Sequence, residues 1–252
     1  MHEELIAVDP EALVAITRPL VLDPDTVHVW SFAIEGSPAL VELCRGALSD
    51  RERERADRFV FAQDGVHHSI AHGVLRHLLA RYCGLEPGTL NFAASASGKP
   101  SLHVPGTPAQ IHFNLSHSHG RALLAVSDRE LGVDLERVRS NIEALDISRR
   151  YFFGAEREAI AQAEPRTRDS LFFRYWVAKE AVLKAQGIGL GFPLERFRVD
   201  FLSTGDTARI ESLDPLRLEP DWTVRMVRCE AGWAGAVAAR GEDWNVKLER
   251  PG

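Results

Sequence analysis

From Leu90 to Glu136 the apolar residues come in short runs separated by glycine, proline and polar residues: LNFAAS, a turn at SGKPSL, IHFNLSHS, RALLAVS and LGVDLE. Runs of this length with this punctuation read as successive, antiparallel-looking strands. Helical patterns lie to either side. A charged helix is expected from about Leu40 to Arg58, where Ser49 can cap a turn within LSDRERERADRF. A second, roughly Asp64 to Tyr82, carries Val66, Ile70, Val74 and Leu78 at helical spacing and stops at Gly84. Upstream, VHVWSFAI has strand character, with His28, Trp30, Phe32 and Ile34 on one face. Downstream, helices are expected near 141–163 and 167–186, then strands at FRVDF, WTVRMV and WAGAVAAR. Strands and helices grouped in this way indicate an α+β fold rather than alternating βαβ units. The two halves share a rough order of elements without a visible repeat, and the polar tail after Arg240 is expected to be peripheral.

Composition narrows the function classes. The 252 residues, 45% apolar and 26% charged, can bury one large core or two smaller ones. A net charge of −6 argues against a general nucleic-acid binder. No apolar stretch approaches the roughly 20 residues of a membrane span. The first residues, MHEELIAVDPEALV, lack the pattern of a signal peptide. Cys44, Cys83 and Cys229 have neither disulfide-framework nor zinc spacing, as expected of reduced thiols in a cytoplasmic protein.

Three segments carry candidate chemistry. In LGVDLERV, strand alternation places Asp134 and Glu136 on one face and Val133 and Leu135 on the other. Taken alone, that pair reads more readily as a solvated strand edge. In FFRYWVAKEAVLKAQGIG, Phe173, Val177 and Ala181 form an inward stripe, while Trp176, Glu180 and Lys184 form a second row. Glu180 and Lys184 could be a helix ion pair worth only about 0.2–0.5 kcal/mol, and Gly187 is a natural stop. In IHFNLSHSHG, Ser116 and His117 end an apolar strand where polar groups can reach an anion. A Ser–His nucleophile is disfavoured: no GxSxG elbow is present, and adjacent strand residues point to opposite faces.

The succession GKP, FNLSHS, GVDLE and WVAKEAVLK resembles the motif set of the phosphopantetheinyl transferases, in particular the Sfp-like type. The resemblance runs from about Leu48 to Phe197 and includes LSDRERERADRF and YFFGAE. It implies two similar α/β subdomains packed as a pseudo-dimer, residues 1–128 and 129–252, with the site in the cleft between them and a monomer as the natural state. It further implies transfer of the 4'-phosphopantetheine of coenzyme A to a serine of an apo acyl or peptidyl carrier protein, with 3',5'-ADP leaving.

By the same resemblance Asp134, Glu136 and Glu180 hold Mg²⁺, Lys184 contacts the pyrophosphate and His117 a coenzyme A phosphate. Lys99 and Pro100 shape the nucleotide pocket, Ser116 lies beside the phosphate, Lys179 is near the phosphates, and Glu156 is the candidate general base. Three converging carboxylates make physical sense only with a hard divalent cation between them. The chain departs from the family pattern at His67, where an arginine for the 3'-phosphate is usual. Arg76 and Arg81 are possible substitutes, more readily read as solvated helix residues, and His119 stands where small residues are common. Another Mg²⁺-dependent phosphodiesterase, or a silent homologue that binds coenzyme A or a carrier protein, are the competing readings.

Overall fold

The computed structural model describes residues 4–94, 98–102, 111–140, 142–203 and 205–251. In chain order the elements are α1 (Pro10–Val14), β1 (Thr26–Ala33), α2 (Pro38–Ala47), α3 (Asp50–Asp57), α4 (Ala62–Cys83), β2 (Phe92–Ala94), β3 (Pro100–Leu102), β4 (His112–Ser118), β5 (Arg121–Ser127) and β6 (Leu131–Arg137). They continue with α5 (Ala144–Tyr151), α6 (Gly154–Gln162), α7 (Pro165–Gln186), β7 (Phe197–Phe201), β8 (Thr207–Ser212), β9 (Trp222–Val227), β10 (Trp233–Arg240) and β11 (Asn245–Leu248). The fold is α+β. One sheet runs β11-β1-β5-β4, a second runs β6-β10-β9-β8-β7, and β2 and β3 form a small separate ribbon.

Alternation along the strands sorts the apolar residues into three layers. Trp30, Phe32, Leu124 and Val126 face α4, whose Ile70, Val74 and Leu78 supply the other half of that core. The opposite face of the same strands, Val27, Val29, Leu123 and Ala125, meets Leu131, Val133, Leu135 and Val237 of the second sheet. Beyond them Ala236 and Ala238 turn to α7, packed with Phe173, Val177 and Ala181. The two sheets therefore lie against each other between two long helices. Each of these helices ends on a left-handed glycine, Gly84 at φ 66° and Gly187 at φ 72°.

Three expectations need correction. The helix expected over Leu40–Arg58 is broken into α2 and α3, because Ser49 adopts extended backbone and starts a new helix: its N–H donates to Glu52 Oε2 at 2.8 Å while Glu52 N–H donates back to its hydroxyl. The stretch near 141–163 is likewise two helices, the second begun by Glu156 accepting from Phe153 N–H at 3.0 Å. The tail after Arg240 is not peripheral. Trp244 is buried, and β11 pairs in parallel with β1 from Thr26↔Asn245 to Val29↔Leu248. A cut between residues 128 and 129 thus separates the strands of the two sheets except β11, which crosses back to complete the first.

Candidate active site

The site forms where β4 of one sheet runs beside β6 of the other. Side chains replace a backbone ladder between these two strands. Asn114 Oδ1 accepts from Val133 N–H at 2.8 Å, Ser116 Oγ donates to Asp134 Oδ1 at 2.9 Å, and Ser118 Oγ donates to Glu136 Oε2 at 2.7 Å. The period of two in FNLSHS delivers all three rungs from one face of β4. His117, on the other face, lines two adjoining cavities under α4. The hairpin to β5 closes through His119 and Gly120 at φ 45° and 79°, the positive values a tight two-residue turn demands. His119 serves that turn and accepts from or donates to the Ser118 hydroxyl at 2.8 Å.

Asp134 is 3% exposed, which overturns the solvated-edge reading. What covers it is α7, and Gly132 makes that approach possible. A Cβ at Gly132 would stand 2.2 Å from Ala185 N and 2.3 Å from Ala181 O. At this separation Lys184 and Glu180 reach Asp134 of β6. Lys184 Nζ does not pair along its own helix with Glu180; it donates to Asp134 Oδ1 at 2.6 Å and to Ser116 Oγ at 2.9 Å. Two oxygens are left over: Asp134 Oδ2 and Glu180 Oε1 are buried without a hydrogen-bond partner among the described residues. Burial pushes the Glu180 carboxyl up to about 7, with further contributions from Asp134 and Glu136, against an opposing pull from Lys184.

Other expected site residues lie elsewhere. Lys179 and Glu156 form a buried ion pair at 2.9 Å, with side chains 0% and 1% exposed. Lys179 Nζ also donates to the carbonyls of Leu194 at 2.9 Å and Phe197 at 2.6 Å, so its three N–H bonds are taken and none reaches a phosphate. Glu156 accepts from Phe153 N–H and from Val199 N–H of β7, the strand at the opposite edge of the sheet from β6. Enclosed with Lys179, it lines neither of the two cavities beside His117, which leaves the general-base expectation without geometric support. Desolvation holds both partners toward neutrality, Glu156 upward and Lys179 down to about 8. Lys99 Nζ donates to Leu131 O at 3.0 Å and to Ala185 O at the end of α7, where a cation suits the helix C-terminus, and it is not among the residues lining the cavity between α3, α4 and β4. Its neighbours Gly98 and Pro100 do line that cavity.

The larger elements of that cavity, about 450 Å³, are α3, α4 and β4. Its walls combine Leu90, Phe92, Phe113 and Pro100 with Arg51 and Arg55, which the sequence hides within a charged helix. Arg76 is not solvated: it backs the wall of this cavity with its guanidinium already engaged. It is buried, paired with Glu52 at 2.7 Å and bonded to the carbonyls of Pro87 and Leu90, each at 3.0 Å. The second cavity, about 500 Å³, is lined by His67, His68, His117 and His119 and ends on Glu136 and Arg139. Gln63 and His67 lie within 2.8 Å of each other.

Comparison with known proteins agrees with this geometry. Residues 37–129 match the model for the N-terminal region of 4'-phosphopantetheinyl transferases, and residues 130–238 match that of the 4'-phosphopantetheinyl transferase superfamily. HetI, a 4'-phosphopantetheinyl transferase of Nostoc, is 32% identical over 91% of this chain and 94% of its own. The chain belongs to the 4'-phosphopantetheinyl transferase superfamily. As a superfamily member it is a transferase that acts on carrier proteins, with coenzyme A as the family's donor. Sfp of Bacillus subtilis is 27% identical over 64% of this chain and 70% of its own, which places the transferase among the Sfp-like members. The human L-aminoadipate-semialdehyde dehydrogenase-phosphopantetheinyl transferase is 31% identical over 61% of this chain and 53% of its own. The Thermotoga maritima holo-[acyl-carrier-protein] synthase crystal structure covers 45% of this chain and 63% of its own at 18% identity and a TM-score of 0.35, too slight a likeness to build on.

Proposed function

We propose that the cleft between β4, β6 and α7 transfers phosphopantetheine from coenzyme A to the serine of an apo acyl or peptidyl carrier protein, with Asp134, Glu136 and Glu180 holding Mg²⁺. The observation that carries the proposal is the pair of orphaned buried oxygens, Asp134 Oδ2 and Glu180 Oε1, on facing elements beside Lys184. Among the described residues no three such side chains already stand at coordinating positions. The donor set nonetheless fits a hard cation: all donors are carboxylate oxygens, two of them unpaired, and few protein ligands leave room for phosphate oxygens. When bound, Mg²⁺ neutralises phosphate charge as a Lewis acid.

The chain's own groups do the rest. Lys184, already spanning Asp134 and Ser116, presents its ammonium to the pyrophosphate. His117 projects into the cavities that take the nucleotide, walled on the apolar side by Phe92 and Phe113. The carrier serine oxygen attacks the phosphorus bearing the pantetheine arm, the bond to the ADP moiety breaks, and 3',5'-ADP leaves. The serine proton passes to an acceptor other than these two glutamates, because Glu180 is committed to the metal and Glu156 to its buried ion pair with Lys179. Both sides of the cleft come from one chain, which supports a monomer of two related halves. The family's donor and acceptor support a cytoplasmic location.

Intact-mass measurement of apo carrier proteins incubated with the protein, coenzyme A and Mg²⁺ tests the proposal. A gain of one phosphopantetheine that disappears with EDTA and with Glu180→Gln is expected. Coenzyme A cleaved without carrier modification would indicate a hydrolytic phosphodiesterase, and no turnover with retained coenzyme A binding a silent homologue; either result overturns the assignment.

A further inference from the structure

His68 and His72 stand one turn apart on α4 with ring centroids 4.1 Å from each other, and Phe59 covers the other side of His68 at 5.6 Å. His68 is 4% exposed yet lines both cavities. Its Nε2 is buried without a hydrogen-bond partner among the described residues. A buried polar group left in this state costs free energy unless a ligand completes it. The surroundings specify the ligand's charge. Arg51 and Arg55 face the same cavity and form no ion pair among the described residues, and His117 adds a third imidazole. The one acid in that wall, Glu52, is consumed by Arg76, Ser49 and His72: burial alone would raise its carboxyl, but these partners hold it far below the usual range.

We propose that His68, backed by His72 and flanked by Arg51 and Arg55, recognises a phosphomonoester dianion by taking up a proton as it binds, so that the enzyme's preference for a phosphomonoester-bearing nucleotide is set by pH. The inference rests on the coenzyme A reading above. Coenzyme A carries one phosphomonoester, on its ribose, whereas its pyrophosphate is a diester; 3'-dephospho-coenzyme A lacks the monoester. An arginine in such a site is charged at every physiological pH, but an imidazole is charged only when the environment allows it. In the empty cavity the environment does not allow it: burial, then His72 and Arg55, hold His68 down to about 4, with Glu52 opposing and His117 adding to the effect. Asp64, His67, His119, Glu136 and Arg139 share the second cavity and complete the titratable and charged groups lining it. A dianion against His68 reverses the local field, and the proton arrives from solvent.

The sign follows from linkage. Proton uptake on binding means that affinity falls as pH rises between the free and bound pKa of the ring, by at most about tenfold per unit for one proton. Calorimetric titration of the full-length protein with coenzyme A and with 3'-dephospho-coenzyme A, at pH 6.5 to 8.5 in two buffers of different ionisation enthalpy, measures both quantities. For coenzyme A we expect net proton uptake and weakening affinity across that range, neither of which the dephospho form shows. His68→Gln keeps a neutral donor and should abolish the uptake, as should the separate variant His72→Gln in part. Equal pH slopes for the two nucleotides, or uptake that persists in His68→Gln, would overturn the inference while leaving coenzyme A binding intact. Binding of neither nucleotide would overturn the coenzyme A reading itself, and the inference with it.

Discussion

Replacing Lys179 by methionine separates a structural ion pair from a catalytic one. The variant keeps the length of the side chain but removes the cation that Glu156 faces at 2.9 Å, and it strips a donor from the carbonyls of Leu194 and Phe197. Breaking a buried pair typically costs 3–5 kcal/mol, about what the stranded charge demands. The chain has an escape, because Glu156 can take a proton. Relative to the ordinary 4.5, neutralising it at pH 7 costs about 3 kcal/mol at 1.36 kcal/mol per unit. That cost shrinks as pH falls and vanishes below 4.5, where folded and unfolded forms are protonated alike. For a chain of this size about 3 kcal/mol corresponds to a Tm lower by roughly 6–12 °C. Thermal unfolding followed by circular dichroism should therefore show a deficit that is large at pH 8 and much smaller at pH 5. Adding Glu156→Gln should recover part of it. A variant with wild-type Tm at pH 8 and no transferase activity would refute the reasoning and return Lys179 to the chemistry.

The site yields further expectations. Glu180→Gln in EDTA should make the protein more stable above pH 7 and no more stable at pH 4.5: the folded carboxyl, raised to about 7, keeps a proton the unfolded chain has lost, so stability falls as pH rises through that window, by up to about 3 kcal/mol. Urea unfolding at pH 5 and 8 reads the difference, and parallel curves would remove the repulsion argument. Mg²⁺ should raise the wild-type Tm at pH 8 and leave that of Glu180→Gln unchanged, since a native-state ligand stabilises by mass action. Gly132→Ala should cost at least about 1–3 kcal/mol by forcing α7 outward, and transfer should fall further than stability as Lys184 leaves Asp134; carrier-modification rate against Tm distinguishes the two. Lys184→Ala should weaken coenzyme A binding in calorimetry, and unchanged affinity would leave Lys184 only its contact with Asp134.

The local grammar of the chain carried the site a long way. Alternation in GVDLE put Asp134 and Glu136 on one face, and the four-residue step in WVAKEAVLK put Glu180 and Lys184 in one row; both hold. Whether the Asp134 face was wet or buried depended on which element covers β6, and that is a long-range fact decided by the absence of a side chain at Gly132. Lys179 sits one position from Glu180, about 100° around the helix, and so belongs to a different neighbourhood of α6 and β7. Nothing local tells these two lysines apart. Arg51 and Arg55 were hidden for the opposite reason, since a run of charges on a short helix reads as solvated. The strand character of NVKL was invisible because four residues carry too weak a pattern, and their partner lies at the other end of the sequence.

The parallel pairing of β11 with β1 has a consequence for how the protein is made. On a ribosome the β1 edge stands open while everything from α2 to β10 is synthesised, since the strand that closes it comes afterward. An open edge beside apolar Val27 and Val29 is a template for pairing with another chain. The nascent protein should accordingly depend on holding chaperones until β11 has been made. Shortened or permuted forms that separate β11 from β1 should fail by aggregating during expression rather than by losing activity once folded.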